Sequence, residues 1–313
     1  MLGIILPFSY IISTSFKRIL IFRKKMKLVF FLAVHLLLIN GCNSTSNNIV
    51  TEKPEILYQP EDREIFEKLV IHHKVERNMT LDSMMVRIGV FFLGTPYVAH
   101  TLETEPEKLV INLREMDCTT LAENCLAIAR TLKSDKPSFE KFTGELKNIR
   151  YRNGKVEGYP SRMHYFSDWI YTNAQKKLIK DISEEIAHTP CPLYVDFMSN
   201  HPKAYRQLSD SAALISVIAE QEKQISGREM YFIPEEKIAE IEDLLKDGDI
   251  AGIVTNIKGL DIQHVAVLVR KSGRMHILHA SSAAEKVIIS DETLEDYLNN
   301  SKSAIGIMVA RPI

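Results

Sequence analysis

Cysteine is scarce in this chain and neither sign of charge is in surplus. Four cysteines in 313 residues (Cys42, Cys118, Cys125 and Cys191) are too few for a disulfide-stapled scaffold. Lys+Arg number 39 against Asp+Glu 40, so the basic excess that nucleic-acid binding usually needs is missing. The chain contains no HExxH pattern, and His72 and His73 are adjacent rather than one helical turn apart. There are no internal repeats, and no apolar run reaches the ~20 residues of a membrane-spanning helix. What is present is 45% hydrophobic residues, enough for one large core or two modest ones.

The balanced charge is an average over an uneven chain. Residues 1–41 hold six bases (Lys17, Arg18, Arg23, Lys24, Lys25, Lys27) and no acid. Read from Met26, a basic stretch precedes an apolar run from Leu28 to Ile39, the pattern of a signal peptide, and Met26 is the expected start. Ile39-Asn40-Gly41-Cys42 resembles a bacterial lipobox, which makes Cys42 the expected lipidation site and membrane anchor. Without the leader, 33 bases face 40 acids, a net charge of −7. Residues 42–53 are polar and read as a tether, with one folded domain over 54–313.

Along that domain, helical spacing is expected over Glu61 to Arg77, from Thr80 to Gly94, over Cys118 to Leu132, Phe166 to Lys177 and Pro202 to Gln224, and after Pro234. Asn153-Gly154 between Ile149 and Val156 predicts a hairpin. Past Gly248 the pattern changes to strands at Ile250–Thr255, Ile262–Arg270, Met275–Ala280, Lys286–Ser290 and Ile305–Ala310, with a short helix at Leu294–Asn299. Helices first and an antiparallel sheet afterwards indicate an α+β fold.

The chemistry-bearing residues begin at Cys118, which opens a helix straight after Asp117. A thiol there faces unpaired N–H groups and the positive end of the helix dipole, which favour thiolate and could hold an oxyanion. Cys125, seven residues on, fits a packing role, and the two are too far apart along a helix to bridge. A thiol nucleophile needs an imidazole base and a group to orient it. His264 and His279 lie on strands that a hairpin would set side by side, with His276 a rival for the third position. His264 follows Cys118 by 146 residues, a spacing that identifies no family by itself.

Gly94-Thr95-Pro96-Tyr97-Val98, Asp117-Cys118, Asp247-Gly248-Asp249-Ile250, His264-Val265-Ala266-Val267 and His279-Ala280-Ser281 occur in the order seen in NlpC-type papain-like cell-wall hydrolases, which this chain resembles. The resemblance implies a papain-like core, with the nucleophile-bearing helix packed on an antiparallel sheet and extra helices around it. It makes Cys118 the nucleophile, His264 the base, His279 its orienter and Tyr97 a neighbour of the thiol. Further segments narrow the resemblance to N-acetylmuramoyl-L-alanine amidase-like lipoproteins: Tyr97 to Glu103, Arg162 to Trp169, Phe197 to Pro202 and Gly259 to Ile262. That branch implies hydrolysis of the amide between N-acetylmuramic acid and L-alanine, with no cofactor or metal. It also implies a peptidoglycan or muropeptide substrate and a periplasm-facing lipoprotein, placed at the outer membrane.

Asp117 is expected to brace its loop, since an anion beside the thiolate would raise its pKa. Arg162 could pair with a peptide carboxylate, Trp169 or Tyr165 could stack on a sugar, and Glu103 could meet an amine or hydroxyl; core packing and surface exposure are the competing roles. Three other functions remain open: an endopeptidase cutting the D-Glu to diamino-acid bond, a non-catalytic peptidoglycan-binding lipoprotein, and, more weakly, a zinc amidase.

Overall fold

The computed structural model describes residues 56–73, 79–192 and 194–313. The leader over 1–41, the start at Met26, lipidation at Cys42 and the tether over 42–53 lie outside the described residues. No helix among the described residues is long and apolar enough to cross a membrane.

The helical first half holds α1 (Pro60–His72), α2 (Leu81–Phe91), α3 (Cys118–Leu132), α4 (Phe139–Arg150) and α5 (Phe166–Gln175), then the short α6 (Ser183–Ala187) and α7 (Phe197–Asn200), and α8 (Ala212–Ser226). Strands β1 (Ile56–Leu57) and β2 (Leu109–Val110) form a small parallel pair. The remaining strands are β3 (Ile179–Asp181), β4 (Thr189–Pro190), β5 (Tyr231–Pro234), β6 (Ile250–Thr255), β7 (Ile262–Lys271), β8 (Arg274–Ser281), β9 (Lys286–Ile289) and β10 (Ala304–Pro312). They build an antiparallel sheet of order β4-β5-β10-β6-β7-β8-β9, with β3 also on β10. The one-turn α9 (Ile238–Ile241) precedes β6, and α10 (Leu294–Asn299) lies between β9 and β10.

The sheet is covered on both faces, and the strand alternation sorts residues between them. Val265, Val267, Leu278 and Ala280 join a core with Ile88 of α2 and Leu121, Cys125 and Ile128 of α3. Ala266, Leu268, Ile277 and Val309 face a second core closed by Leu294 and Leu298 of α10. Gly89 lets α2 lie close to the sheet, because a Cβ there would stand 2.8 Å from the Leu278 side chain. The mixed helical and antiparallel-sheet architecture is the α+β arrangement expected from sequence.

The hairpin expected around Asn153-Gly154 is absent. Gly154 does make a turn at φ +65, but Ile149 and Arg150 belong to the end of α4. The apolar stripe Phe139, Phe142, Leu146 and Ile149 carries the helix into that segment, and helix packing overrides the local turn signal. Arg150 is itself buried, donating to Glu123 at 2.7 Å and to the Val110 carbonyl at 2.6 Å. The helix expected over Pro202 to Gln224 is interrupted, so that continuous α-helix begins only at Ala212.

Candidate active site

The first turn of α3 is fixed by its cap. The Asp117 carboxylate accepts the Thr120 N–H at 2.8 Å, and the Thr120 hydroxyl accepts the Asp117 N–H at 2.9 Å. This reciprocal cap contributes about 1 kcal/mol and leaves Cys118 at the first helical position. The side chain of Asp117 is thus turned into its own helix end, as a brace. Burial pushes the Cys118 thiol up to about 11, with the Asp117 charge acting in the same direction; the Val265 amide and the Thr119 hydroxyl pull the other way. Desolvation therefore outweighs the helix N-terminus, and the resting sulfur is a thiol rather than the thiolate expected from the dipole alone. Cys125 sits two turns deeper, fully buried, with its thiol pushed up by burial alone.

The imidazoles come from cross-strand register. Val267 pairs with Leu278 across β7 and β8, so His264 and His279 project from the same face, offset diagonally. His264 Nε2 lies 2.7 Å from His279 Nδ1, with ring centroids 4.9 Å apart and planes at 88°. Burial pulls His279 down to about 4; burial, and then the His279 charge, pulls His264 down to about 3. Both rings are neutral at pH 7. His276 projects from the other face, where its Nδ1 lies 3.0 Å from the Ser290 carbonyl. It is not the group beside His264.

A bulge sets the approach of β7 to this pair. Ile253 pairs with His264 but the next β6 residue, Val254, pairs with Ile262, which leaves Gln263 as the extra residue. Gln263 and His264 then line a cavity of about 240 Å³ together with Cys118, and Tyr165, Phe166 and Trp169 form part of its wall. Tyr97, in the loop after α2, lies beside the start of α3: its backbone bridges to Met116, just before the Asp117–Cys118 pair, and its N–H donates to the Glu285 carbonyl at 2.9 Å. Its phenol is raised by burial and then by the nearby Cys118 and Asp117 charges.

The N-acetylmuramoyl-L-alanine amidase-like family, described as AmiA-like, matches residues 87–307, the span that carries all of these groups. The chain belongs to that family.

A Bacteroides uniformis N-acetylmuramoyl-L-alanine amidase has a similar structure, with 37% identity and a TM-score of 0.71, covering 74% of this chain and 98% of that one. A Bacteroides fragilis protein described as a putative xylanase is 38% identical at a TM-score of 0.69, covering 72% of this chain and 99% of that one. A Legionella pneumophila protein at 21% identity and a TM-score of 0.60 covers 81% of this chain and 93% of its own, and shares the fold. No curated protein matches the sequence. The family makes the chain an amidase-like enzyme of peptidoglycan hydrolysis.

Within this amidase-like site, the expected substrate residues fall differently from Cys118, His264 and His279. Arg162 and Glu103 meet each other rather than a ligand: Nη2 donates to Glu103 Oε1 at 2.9 Å, and Nε lies 3.2 Å from Glu107 Oε1. The guanidinium is buried, stands over the Tyr159 ring at 5.1 Å, and does not line the cavity holding Cys118. Two acids already neutralise it, so a peptide carboxylate would have to displace one. Tyr165 is buried and its hydroxyl donates to Glu222 at 2.7 Å. Trp169 is stacked on Phe166 at 5.3 Å and 10°, so one ring face is covered where a sugar was expected to stack. Both still form cavity wall.

The Asp247-Gly248-Asp249 segment is structural. Asp249, fully buried, receives the Arg311 guanidinium through two bonds of 2.8 and 2.7 Å. Gly248 has φ +82, and a Cβ would lie 2.2 Å from the Asp82 carbonyl. Among the described residues, no group of three or more His, Cys, Asp or Glu side chains is arranged to hold a metal ion. Sequence reasoning missed Tyr297 of α10, whose ring stands 6.3 Å from His264 and 5.9 Å from His279. Its position three residues beyond buried Leu294 is the signal that could have found it.

Proposed function

We propose that this chain hydrolyses the amide joining N-acetylmuramic acid to L-alanine in peptidoglycan, through Cys118 as nucleophile, His264 as base and His279 as its orienter, on a papain-like arrangement of helix and sheet. The observation that carries the reading is the 2.7 Å contact between His264 Nε2 and His279 Nδ1, on a cavity that also holds the Cys118 thiol. With Nε2 engaged, Nδ1 is the His264 nitrogen left for the sulfur. The productive tautomer has His264 donating Nε2–H to His279, which leaves a lone pair on Nδ1.

Because the thiol and imidazole both rest neutral, proton transfer from Cys118 to His264 accompanies attack. Sulfur bonds to the lactyl carbonyl carbon, and the oxyanion faces the Cys118 N–H at the helix start, with the Tyr97 phenol nearby. The C–N bond then breaks as His264 passes its proton to the alanine nitrogen. Water, deprotonated by His264, attacks the thioester, and the sulfur leaves with that proton. Cys42 lipidation would tether this domain to the membrane facing the periplasm.

The test is mass spectrometry of defined muropeptides incubated with the wild-type protein and Cys118→Ala. Peptides beginning at L-alanine, formed by the wild type alone, are expected. Release of a fragment beginning at the diamino acid, with L-alanine and D-glutamate left on the muramic acid, would make the enzyme an endopeptidase instead, and activity that survives Cys118→Ala but is lost with chelator would overturn the thiol mechanism. Binding of the muropeptide by the wild-type protein with no cleavage product would favour the non-catalytic reading.

A further inference from the structure

Two cavities share Gln263 and His264 in their walls. The first, of about 240 Å³, contains the thiol. The second, of about 570 Å³, is lined by His264, His279, Ser282, Asp291, Glu292 and Tyr297 among others, and not by Cys118. The first carries four aromatic rings besides histidine, two methionines and one carboxylate, Asp261; the second carries a single such ring, Tyr297, with serine hydroxyls and two carboxylates, and neither is lined by lysine or arginine.

The bonds made and broken assign the two spaces. An acyl group attached to sulfur must occupy the cavity that contains the sulfur. The departing amine must receive its proton from His264, so the fragment it belongs to extends from His264 away from Cys118. Tyr297 lines the second cavity beside the imidazole pair, its ring 6.3 Å from that of His264 and 5.9 Å from that of His279. Of the acids, Asp291 is fully exposed with Lys271 Nζ at 3.4 Å, and Glu292 accepts from Asn300 Nδ2 at 3.0 Å. Both retain oxygens for a ligand.

We propose that the larger cleft is the leaving-group site, taking the stem peptide that follows L-alanine, with the free ammonium group of its diamino acid toward Asp291 and Glu292. This rests on the amidase reading above and adds to it where each half of the substrate lies. The sugar side takes the aromatic cavity, and the peptide side takes the polar cleft.

Three substrates test it: N-acetylmuramoyl-L-alanine, its extension through D-glutamate to a diamino acid, and that extended compound with the free amine acetylated. Ser282→Trp, in an exposed turn, places bulk in the cleft; Asp291→Asn with Glu292→Gln removes its charge. Thermal denaturation of each variant confirms folding. Ser282→Trp is expected to lower the ratio of kcat/KM for extended over short substrate by about 10-fold. The double variant is expected to erase a preference of about 3-fold for the free over the acetylated amine, the scale of exposed charge pairs. An unchanged extended-to-short ratio in Ser282→Trp overturns the cleft assignment, and an unchanged amine preference overturns the ammonium contact. If the wild type releases no peptide beginning at L-alanine from any of the three, the amidase reading falls and this assignment falls with it.

Discussion

The two faces of the central sheet are filled by different means, and the proposed reacting groups divide between them. On one face, the 15-residue α3 and the neighbouring α2 form an apolar layer, and Cys118 rides at the helix end. On the other, the six-residue α10 supplies Leu294 and Leu298, and the two imidazoles stand at the margin of that layer beside Tyr297. Cys118 is thus placed by helix packing and a cap, and His264 by strand register. The consequence is that the two halves should fail differently: the first through stability and position together, the second through hydrogen bonding and proton affinity.

The largest effect is expected where the halves meet. Cys118→Ala should lower kcat at least ~10³-fold on a muramoyl-L-alanine substrate while leaving the melting temperature near that of the wild type, because the half-buried thiol contributes little packing. His264→Ala should match it. The two remaining histidines of β8 separate the faces. His279→Ala should lower kcat about 10²-fold by releasing His264, whereas His276→Ala should keep kcat within ~2-fold and cost about 1 kcal/mol of stability through the lost Ser290 hydrogen bond. Equal loss of kcat in both would break the comparison.

Acid distinguishes the faces next. His264 and His279 are held below their ordinary value, so the unfolded chain binds more protons than the folded one as pH falls below 6.5. Stability should therefore be full above pH 6.5 and decline from there toward about pH 4. Chemical denaturation across that window should show a shallower decline in His279→Asn. The Cys118 thiol is shifted the other way: its contribution is present below pH 9 and is lost as pH rises through about 11. The smallest effect is expected at the covering helix. Tyr297→Phe should change kcat by less than about 3-fold, and Tyr297→Ala by about 10-fold, measured by steady-state kinetics, as the imidazole pair loses its aromatic wall.

Much of this arrangement was legible in the residues. The boundaries of α3 followed from Asp117 as cap and the Leu121, Cys125, Ile128 and Leu132 stripe, because both signals are local and agree. The parity that puts His264 with Ala266 and Leu268 is likewise local. What was not legible depended on long-range partners. Arg162 is paired across the fold with Glu103 and Glu107, which no short window shows. The thiolate expected at Cys118 is opposed for a related reason: the dipole is visible in sequence, but the burial that pushes the thiol up is not. Trp169 differs: Phe166, which covers one of its ring faces, is a local partner three residues away.

The unpaired Gln263 gives β7 a frame shift of its own. Ile262, on the near side, joins the same core as Val265 although the two are three residues apart, where an unbroken strand would put them on opposite faces. The position of the base is therefore counted backward from the Lys271–Gly273 turn rather than forward from the loop before β7. Relatives could lengthen or shorten the 256–261 connection, and so reshape the rim of the cavity, while the histidine kept its address.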